Sequence, residues 1–411
     1  MRILFLSQYY PPEMGAAANR VGFFARRLAE WGHTVTVITA LPNYPHGKVM
    51  DGYRRHVFMQ TYEANVLVLR SWIYATRHSS LIPRLLNYLS FVVTASIVGI
   101  CRAGRQDVVV VESPPLFVGI SGLLIRSFCK SSLVFNVSDL WPETAVALKA
   151  LRNKLLIRLS TALEEFLYRH SDLITGQTKG IVQNIRSRIS NVPVALITNG
   201  ADVEEYLAGP LQRDLGFERN FLIGYTGLHG LAQGLQTLLE AAAKVQNEEQ
   251  ILFVFFGEGP EKEKLVEMAQ RMALENVRFF PAVPRAEMPD ILASLDVAVI
   301  PLRRNELFWG ALPSKLFEAM AASLPVILCA EGEARNVVLE AEAGICVPPE
   351  DADALAEAVL RLYRDAAFRK AAGKKGRDYV QEKYNRSRIA KIFEQQLVQL
   401  GNPPEALRSE A

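Results

Sequence analysis

The chain has 411 residues, of which 50% are hydrophobic and 22% are charged, and its formal net charge is +3. This length exceeds what one hydrophobic core organises, so we expect two domains. The four cysteines are widely spaced, without a Cys-x-x-Cys pair or companion histidines. This pattern excludes a disulfide scaffold and a zinc site and favours a reduced, cytosolic protein, for which we expect no signal peptide.

The charge is divided unevenly between the two halves of the chain. Residues 1–200 contain 22 Lys and Arg against 11 Asp and Glu, whereas residues 201–411 contain 24 against 32. The basic residues of the first half are scattered, and no basic run exceeds two consecutive residues. This scatter argues against nucleic acid as the partner and favours an anionic lipid surface.

The first half alternates apolar runs with helical patterns. Unalternating apolar strands are typical of a parallel sheet that helices cover on both faces. The predicted strands are Ile3–Leu6, Thr34–Thr39, Val108–Val111 and Leu133–Val137, and the predicted helices are Ala18–Trp31 and Leu116–Cys129.

The second half repeats the alternation. Its predicted strands are Leu222–Tyr225, Ile251–Phe256, Val277–Phe280, Val297–Pro301 and Val326–Leu328, and its predicted helices are Leu235–Val245, Glu261–Ala273, Met288–Ala293, Ser314–Ala322, Leu355–Asp365 and Phe368–Tyr384. Turn signals in Asn199–Pro210 indicate a linker. We therefore predict an α/β protein with two doubly wound domains, residues 1–200 and 201–385, that face each other across a cleft.

The segment from Leu81 to Cys101 is nearly free of charge, with arginines at positions 77, 84, 102 and 105 around it. Its apolar run is about the shortest that spans a bilayer. It also contains polar residues, and a strand of the sheet follows it. Three interpretations remain open: a helix buried in the domain, an interfacial helix with its arginines on lipid head groups, and a true membrane span.

Two places in the second half suit a bound diphosphate, which needs backbone N–H groups, a helix N-terminus and a cation. The glycine-containing turn Gly227–Gly234 lies between a strand and a helix, and Pro313-Ser314-Lys315 opens another helix with a hydroxyl and a cation. Either feature alone is weak, because most such turns are only turns. Their occurrence at equivalent strand ends of one domain favours phosphate binding.

A nucleoside also needs an apolar slot and a carboxylate for the ribose hydroxyls. Phe280–Pro284 follows a strand and suits the slot, and Glu318 lies one helical turn beyond Lys315. Glu318 could instead be a solvated carboxylate or a capping box with Ser314, but its helix is otherwise apolar.

In the first half, Asp139 follows a strand and suits catalysis or acceptor binding, with a helix N-cap as the alternative. Gly15 would let the backbone approach the donor phosphates. Asp351-Ala352-Asp353 resembles a metal-binding motif but precedes a helix, so we interpret it as a cap. The histidines show no ligand spacing, and we expect no metal site.

Seven motifs together, in order and spacing, resemble the family 4 retaining glycosyltransferases, which have the GT-B fold. They are YYPPEMGAAANR, PNYPHGKVMDGY, DLWPE, TNGAD, YTGLHGLAQGL, FFGEGPEKEKL and PSKLFEAMAASLPV. Within that family the chain is most similar to bacterial surface-polysaccharide (O-antigen or capsule) transferases of the WbuB type, N-acetyl-L-fucosamine transferases.

The resemblance implies a role for each matching residue. Asp139 and Lys315 would be catalytic, and the final helix, within 386–411, would pack back on the first domain. The donor would be bound by Gly15, Gly227, Gln233, Glu258, Gly259, Val283, Pro313, Ser314, Lys315, Leu316 and Glu318.

The sequence also departs from the family pattern. The family pairs two glutamates as E-x7-E. Counting back eight positions from Glu318 places Gly310 where the first glutamate would stand, and Glu306 is only a conceivable substitute. The usual arginine and lysine after the first strand of the second domain are missing, and Gln233 stands near the lysine position. These departures leave the nucleotide site intact and the donor sugar open.

The resemblance implies retaining transfer, without a metal or other cofactor, from a nucleotide sugar, with UDP favoured. The basic first half and the Leu81–Cys101 segment indicate an undecaprenyl-diphosphate-linked saccharide as the acceptor. The transferred sugar would be an N-acetylated deoxyhexosamine or a hexose. The enzyme would act in the cytoplasm, peripherally at the inner face of the membrane, through residues 81–105. Two alternatives stay open: a sugar-nucleotide 2-epimerase that uses His229 and Asp139, and a non-catalytic sugar-nucleotide-binding subunit.

Overall fold

The computed structural model describes residues 1–13, 15–78, 80–147, 151–207, 216–217 and 220–401. The chain divides into two compact units. The first comprises Met1–Thr198 and the segment from Ser387 onward, and the second comprises Asn199–Arg386. Each unit is built on a predominantly parallel sheet with helices packed on it. The predicted two-domain α/β architecture is confirmed.

The first unit contains an eight-stranded sheet with the strand order β3-β4-β2-β1-β5-β6-β7-β8. Its strands are β1 (Arg2–Leu6), β2 (Thr34–Ala40), β3 (Phe58–Glu63), β4 (Val66–Ser71), β5 (Val108–Ser113), β6 (Ser132–Val137), β7 (Leu173–Gly176) and β8 (Val194–Leu196). All neighbours are parallel except β3 and β4, which pair antiparallel. The valine run of β5 is buried throughout, as expected for a central strand covered on both faces.

Two of the helices that cover this sheet have an N-cap side chain that accepts hydrogen bonds from the first helical turn. Asn153 caps one of them by accepting hydrogen bonds from the Leu155 and Leu156 N–H groups, and Thr178 caps the next through Ile181. The helices are α1 (Ala16–Glu30), α2 (Leu81–Arg102), α3 (Val118–Cys129), α4 (Glu143–Ala147), α5 (Lys154–Arg169) and α6 (Lys179–Arg188).

Helix α2 contains the nearly uncharged segment. It is long and apolar enough to cross a bilayer by length and composition, and less than half of its apolar window is buried in the protein. Phe91 and Ala95 on its inner side are completely buried against the sheet. Its outer side carries exposed apolar residues. The helix is therefore neither fully covered, as a core helix would be, nor detached from the domain.

The second unit contains a six-stranded, all-parallel sheet with the strand order β11-β10-β9-β12-β13-β14. Its strands are β9 (Phe221–Thr226), β10 (Ile251–Phe256), β11 (Val277–Phe280), β12 (Val297–Pro301), β13 (Val326–Cys329) and β14 (Gly344–Val347). Strand order runs in one direction from β9 to β11 and in the other from β12 to β14. The reversal lies between β9 and β12, where open α/β sheets bind ligands.

Eight helices are described in this unit: α7 (Val203–Leu207), α8 (Gln236–Lys244), α9 (Lys262–Arg271), α10 (Met288–Ala293), α11 (Ser314–Ala321), α12 (Glu333–Ala341), α13 (Ala352–Arg364) and α14 (Ala366–Lys383). Asp351 caps α13 by accepting a hydrogen bond from the Ala354 N–H, which is the capping role predicted for it. The chain passes from the first unit to the second at the start of the predicted linker 199–210. The described part of that segment has regular structure, because Ala201 forms a β-bridge with Asn385 and α7 follows. Residues 208–210 lie outside the described residues.

The last helix, α15 (Arg386–Gly401), completes the core of the first unit. Phe393 packs between Phe5 of β1 and Phe24 of α1, with ring centroids 6.5 and 5.1 Å away. Ile389, Ala390 and Leu397 are buried in the same cluster. The chain thus leaves the first unit at Thr198 and returns to it after Arg386.

Candidate nucleotide site in the second unit

The candidate site lies where strand order reverses in the second unit. The turn Gly227–Gly234 leaves the carboxyl end of β9, and α11 begins after the neighbouring strand β12. Both predicted phosphate-binding features therefore lie at adjacent strand ends. This is where a βα turn and a helix N-terminus can direct backbone N–H groups at one anion.

Lys315 of α11 meets this turn directly. Its Nζ donates a hydrogen bond of 2.8 Å to the Tyr225 hydroxyl and lies 4.1 Å from the centre of the Tyr225 ring. The Tyr225 hydroxyl in turn donates to the Leu228 carbonyl at 2.6 Å. Gly227 has φ 131°, and a Cβ there would lie 2.8 Å from Lys315 Nζ. Gly227 and Lys315, predicted separately, are thus in contact, and only glycine leaves room for the ammonium group.

The charge of Lys315 is sensitive to this environment. Burial lowers its pKa to about 7, and the negative charge of Glu318 acts in the opposite direction. The Tyr225 ring also favours the protonated form, because the face of an aromatic ring attracts a cation. Without a ligand, Lys315 is therefore close to losing its proton at neutral pH. An arriving diphosphate would supply the missing negative charge.

A second glycine-containing turn supports the first. The Gly227 N–H donates to the Phe256 carbonyl at 2.8 Å, and the His229 N–H donates to the Glu258 carbonyl at 2.9 Å. Gly259 lies so close that a Cβ there would be 2.4 Å from the His229 carbonyl oxygen. The predicted residues Glu258 and Gly259 therefore lie beside the Gly227 turn.

Lys262 holds this second turn in place. Its Nζ donates to the carbonyls of Gly257 and Phe280, at 2.8 and 3.0 Å, and to Glu258 Oε1 at 2.7 Å. The Glu258 carboxylate is thus paired with the lysine that begins α9. Phe280 and Val283, the predicted base slot, are partly buried against the hydrophobic core of the unit.

His229 is completely buried, and neither ring nitrogen has a hydrogen-bond partner among the described residues. Its ring lies among the rings of Tyr225, Phe255 and Phe279. Burial and the nearby Lys262 lower its pKa to about 4. A neutral, enclosed imidazole supports the turn and does not reach a substrate. This finding disfavours the 2-epimerase alternative, which needs His229 as an acid or base.

Glu318 is not a solvated carboxylate. Only 12% of its side chain is exposed, and Arg285 Nη1 donates to its Oε1 at 2.6 Å. Arg285 also contacts Glu205 of α7 at 3.3 Å. The capping-box alternative is wrong as well, because Pro313 occupies the N-cap position of α11 and Ser314 is its first helical residue. Arg285 therefore orients the carboxylate that was predicted to bind ribose.

The first turn of α11 divides the predicted residues into two groups. Pro313 and Ser314 are partly exposed at the N-terminus. The Leu316 side chain is fully buried in the core, and its N–H donates to the Pro313 carbonyl at 3.0 Å. The Leu316 side chain therefore belongs to the core, and a role of Leu316 in donor binding stays a prediction.

Arg303 was missed by the sequence analysis. It follows β12, its N–H donates to the Ala232 carbonyl at 2.9 Å, and its Cγ would lie 3.1 Å from a Cβ on Gly234. Its buried Nε has no hydrogen-bond partner among the described residues. A cation thus lies beside Gln233, where the family pattern has a lysine. The signal in the sequence is the basic pair at positions 303 and 304 after an apolar strand.

The first unit holds Gly15 and Asp139. Gly15 precedes α1 with φ 155° and ψ 162°, a conformation essentially restricted to glycine. Asp139 follows β6 and does not cap α4, which begins at Glu143, so the N-cap alternative is wrong. Desolvation by the surrounding protein raises the Asp139 pKa to about 6, although its side chain keeps contact with water, which argues for a smaller rise.

Two buried carboxylates of the first unit were not predicted. Glu13 accepts hydrogen bonds from the N–H groups of Asn43 and Tyr44, both at 2.8 Å, and burial raises its pKa to about 7. Glu112, at the end of β5, accepts from Asn136 at 2.8 Å and from Ser138, and burial raises its pKa to about 7 as well. Both carboxylates brace loops at the carboxyl edge of the sheet.

Comparison with known proteins identifies the family to which each half of the chain is similar. The model of the Glycosyl transferase 4-like domain matches residues 15–200, and the model of Glycosyl transferases group 1 matches residues 212–379. The chain is 25% identical, over 96% of its own length and 98% of the relative's, to WcaI of Escherichia coli, which is named as a glycosyl transferase of colanic acid biosynthesis.

Solved structures agree on the fold. Sucrose-phosphate synthase from Thermosynechococcus elongatus superimposes with a TM-score of 0.75 and 19% identity, covering 97% of this chain and 99% of its own. Anabaena HepE in complex with UDP-glucose superimposes with a TM-score of 0.72 and 17% identity, covering 97% of this chain and 100% of its own. The two consecutive family matches and the shared two-domain α/β fold show that the chain belongs to the GT-B glycosyltransferases.

Proposed function

We propose that the protein transfers a sugar from a nucleoside diphosphate donor, with UDP as the favoured nucleotide. The observation that carries the proposal is the contact between Lys315, Tyr225 and Gly227 at the point where strand order reverses. A glycine turn and a helix N-terminus meet there with one lysine, and this combination suits a diphosphate. HepE, which shares the fold, is described in complex with UDP-glucose, and this supports the nucleotide.

In the proposed reaction, the bond between the anomeric carbon and the diphosphate oxygen breaks as the bond to the acceptor oxygen forms. The acceptor hydroxyl gives its proton to the departing diphosphate, with retention at the anomeric carbon and an oxocarbenium-like transition state. Lys315, the Ser314 hydroxyl and the backbone amides of the Gly227 turn stabilise the developing negative charge. This assignment gives the protein's own groups the work that a metal does in other transferases.

Glu318 would bind the ribose hydroxyls, and Arg285 would hold it in the orientation to do so. Asp139 would act on the acceptor side of the reaction. Gly15 would contribute its backbone to the donor phosphates.

The acceptor we propose is a lipid-linked saccharide, carried on undecaprenyl diphosphate, in surface-polysaccharide synthesis. WcaI, similar to the chain over nearly its full length, carries a name from such a pathway. The basic first half of the sequence suits an anionic carrier at a membrane. An N-acetylated deoxyhexosamine or a hexose, as in the WbuB-type enzymes, remains the proposed sugar.

A second candidate is a subunit that binds a sugar nucleotide without transferring the sugar. Gly310 favours it, because it occupies the position of a family glutamate. Glu306 begins the short 3-10 helix that ends at Gly310 and is exposed, so the described structure keeps one carboxylate near that position. The two candidates differ in one measurement, sugar transfer to a lipid-linked acceptor, since both require nucleotide binding.

The test uses Lys315→Ala, with Lys264→Ala as a control on an exposed lysine that pairs with Glu261. Thermal unfolding is measured with UDP, GDP, ADP and their sugar derivatives, because a ligand of the folded state raises stability. Transfer is measured with a lipid-linked acceptor. We expect UDP to stabilise the protein, and Lys315→Ala to lower turnover roughly 100-fold while Lys264→Ala does not. Half of the original turnover in Lys315→Ala would rule out the assignment of this lysine.

A further inference from the structure

An apolar stripe runs along the outer side of α2. Its five residues recur every three or four positions, so they share one face of the helix. All are exposed, from 43% at Leu89 to 71% at Ile82. The stripe consists of Ile82, Leu86, Leu89, Val93 and Ile97. Its regular spacing distinguishes it from the isolated exposed apolar residues that occur on every protein surface.

Helix α3 extends the stripe on one side. Ser121 of α3 donates a hydrogen bond to the Val92 carbonyl of α2 at 2.9 Å, and Ile125 of α3 fills the space beside Gly99 of α2. Leu124 and Phe128 lie one turn apart on the outer side of α3 and are 48% and 62% exposed. The two helices therefore present one continuous apolar surface.

Two aromatic residues border the stripe on its other side. The segment after β4 is bound to α2, because Thr94 donates to the Trp72 carbonyl at 2.7 Å and Asn87 donates to the Tyr74 carbonyl at 2.8 Å. Trp72 and Tyr74 are both exposed there. Tryptophan and tyrosine at the edge of an apolar surface are typical of the boundary between lipid and water.

The charged residues of α2, of α3 and of the segments next to them in the chain are all basic. The sequence has no Asp or Glu between Glu63 and Asp107, and none between Glu112 and Asp139. Arg77 and Arg84 lie exposed before and near the start of α2, and Arg102 and Arg105 lie exposed at and beyond its end. Positive charges at both ends of an apolar stripe match the negative head groups of an anionic bilayer.

We propose that the outer face of α2 and α3, bordered by Trp72 and Tyr74, docks on the surface of an anionic membrane. A second copy of the chain fits this face poorly, because self-association would bring the arginines of two copies together without a carboxylate on either face. A membrane span also fits poorly, since it would remove Phe91 and Ala95 from the core. The inference deepens the proposed lipid-linked acceptor and rests on it for its role in the reaction.

The experiment uses the full-length protein and flotation with phosphatidylcholine vesicles, with and without phosphatidylglycerol. The variant Val93→Glu with Ile97→Glu places two carboxylates in the stripe. Leu339→Glu with Ile392→Glu is the matched control, because these residues are also exposed and apolar but lie on other helices. We expect anionic vesicles to bind the wild type and the control equally. We expect them to bind the stripe variant at least roughly tenfold more weakly.

Three results would overturn the proposal: no preference of the wild type for anionic vesicles, unchanged binding of the stripe variant, or a wild-type dimer that the stripe variant converts to a monomer. The last result would assign the face to a second copy of the chain. Stabilisation by UDP is measured on every variant. It reports the nucleotide site separately, so a failed membrane site and a failed donor site give different patterns.

Discussion

Lys315 is held by two influences that act on its charge in opposite directions. The ring of Tyr225 attracts the ammonium form, whereas burial lowers the pKa to about 7. A lysine in water has a pKa near 10.4, so the pKa of Lys315 in the free protein is well below the usual value. The binding of a diphosphate would restore the charged form.

We therefore predict that UDP binding at pH 8 is accompanied by uptake of a proton. The diphosphate is already ionised at this pH, while Lys315 in the free protein is largely neutral and becomes charged in the complex. Between the pKa of Lys315 in the free protein and its higher pKa in the complex, the affinity for UDP therefore falls as the pH rises. Calorimetry in two buffers of different ionisation enthalpy measures the uptake. A binding enthalpy that does not depend on the buffer, or uptake that persists in Lys315→Met, would contradict the prediction.

Arg285 and Glu318 form a partly buried ion pair, with 28% and 12% of their side chains exposed. We predict that Arg285→Met destabilises the protein more than Arg285→Met with Glu318→Gln, because the single change leaves a carboxylate without its cation. The coupling free energy is on the order of 1–2 kcal/mol, reduced by the remaining solvent contact. Urea unfolding of the four proteins measures it. Additive effects would show that the pair is not coupled.

The meeting of Gly227 and Lys315 could be anticipated from the sequence, because adjacent parallel strands end at the same edge of a sheet. The roles of Arg285 and Arg303 could not. Arg285 begins a short 3-10 helix and Arg303 lies in a loop, and the partner of each becomes apparent only when a distant segment folds against it. The burial of Leu316 could not be predicted either, because the motif around it suggested a binding role while its side chain is part of the core.

At the scale of elements, the central strands were predicted closely because their apolar runs are long. Strands β10, β11 and β12 have the predicted bounds. Of the missed strands, β7, β8 and β14 have only four, three and four residues, too few to establish a period. Strand β4 was not predicted either. The antiparallel edge strand β3 was missed as well, because its sequence mixes polar and apolar residues and it lies outside the buried centre of the sheet.

The turn between β9 and α8 provides a prediction at this scale. Gly227→Ala should weaken UDP binding at least roughly tenfold, because the new Cβ strains a positive φ and displaces the Lys315 ammonium. Gly32→Ala is the control, since Gly32 has φ 86° but no atom within 4 Å of its Cβ position. Both variants share the backbone strain, and only Gly227→Ala disturbs the lysine. Equal UDP affinity in the two variants would refute the role of this contact.

At the scale of the whole molecule, the first unit depends on both ends of the chain. Phe393 of α15 lies against Phe5 and Phe24, so we predict that Phe393→Ala costs about 3–5 kcal/mol. Ile392→Ala, at an exposed neighbour, should cost little. Hydrogen exchange should then accelerate in β1 and α1, while UDP still protects α11. Loss of the UDP protection in Phe393→Ala would show that the two units do not unfold separately.

In the sequence, the second unit is inserted into the first, between Thr198 and Ser387. Ala201 pairs with Asn385, the Arg386 N–H donates to the Ala201 carbonyl, and the Arg386 side chain reaches the Gly200 carbonyl. At the ends of the chain, a Cβ on Gly401 would lie 2.2 Å from Met1 Cε. The first and last residues of the second unit, 199–386, therefore lie next to each other. If the proposals above hold, exchanging residues 199–386 between related chains would exchange the proposed nucleotide site and leave the proposed membrane-docking face of α2 and α3 in place.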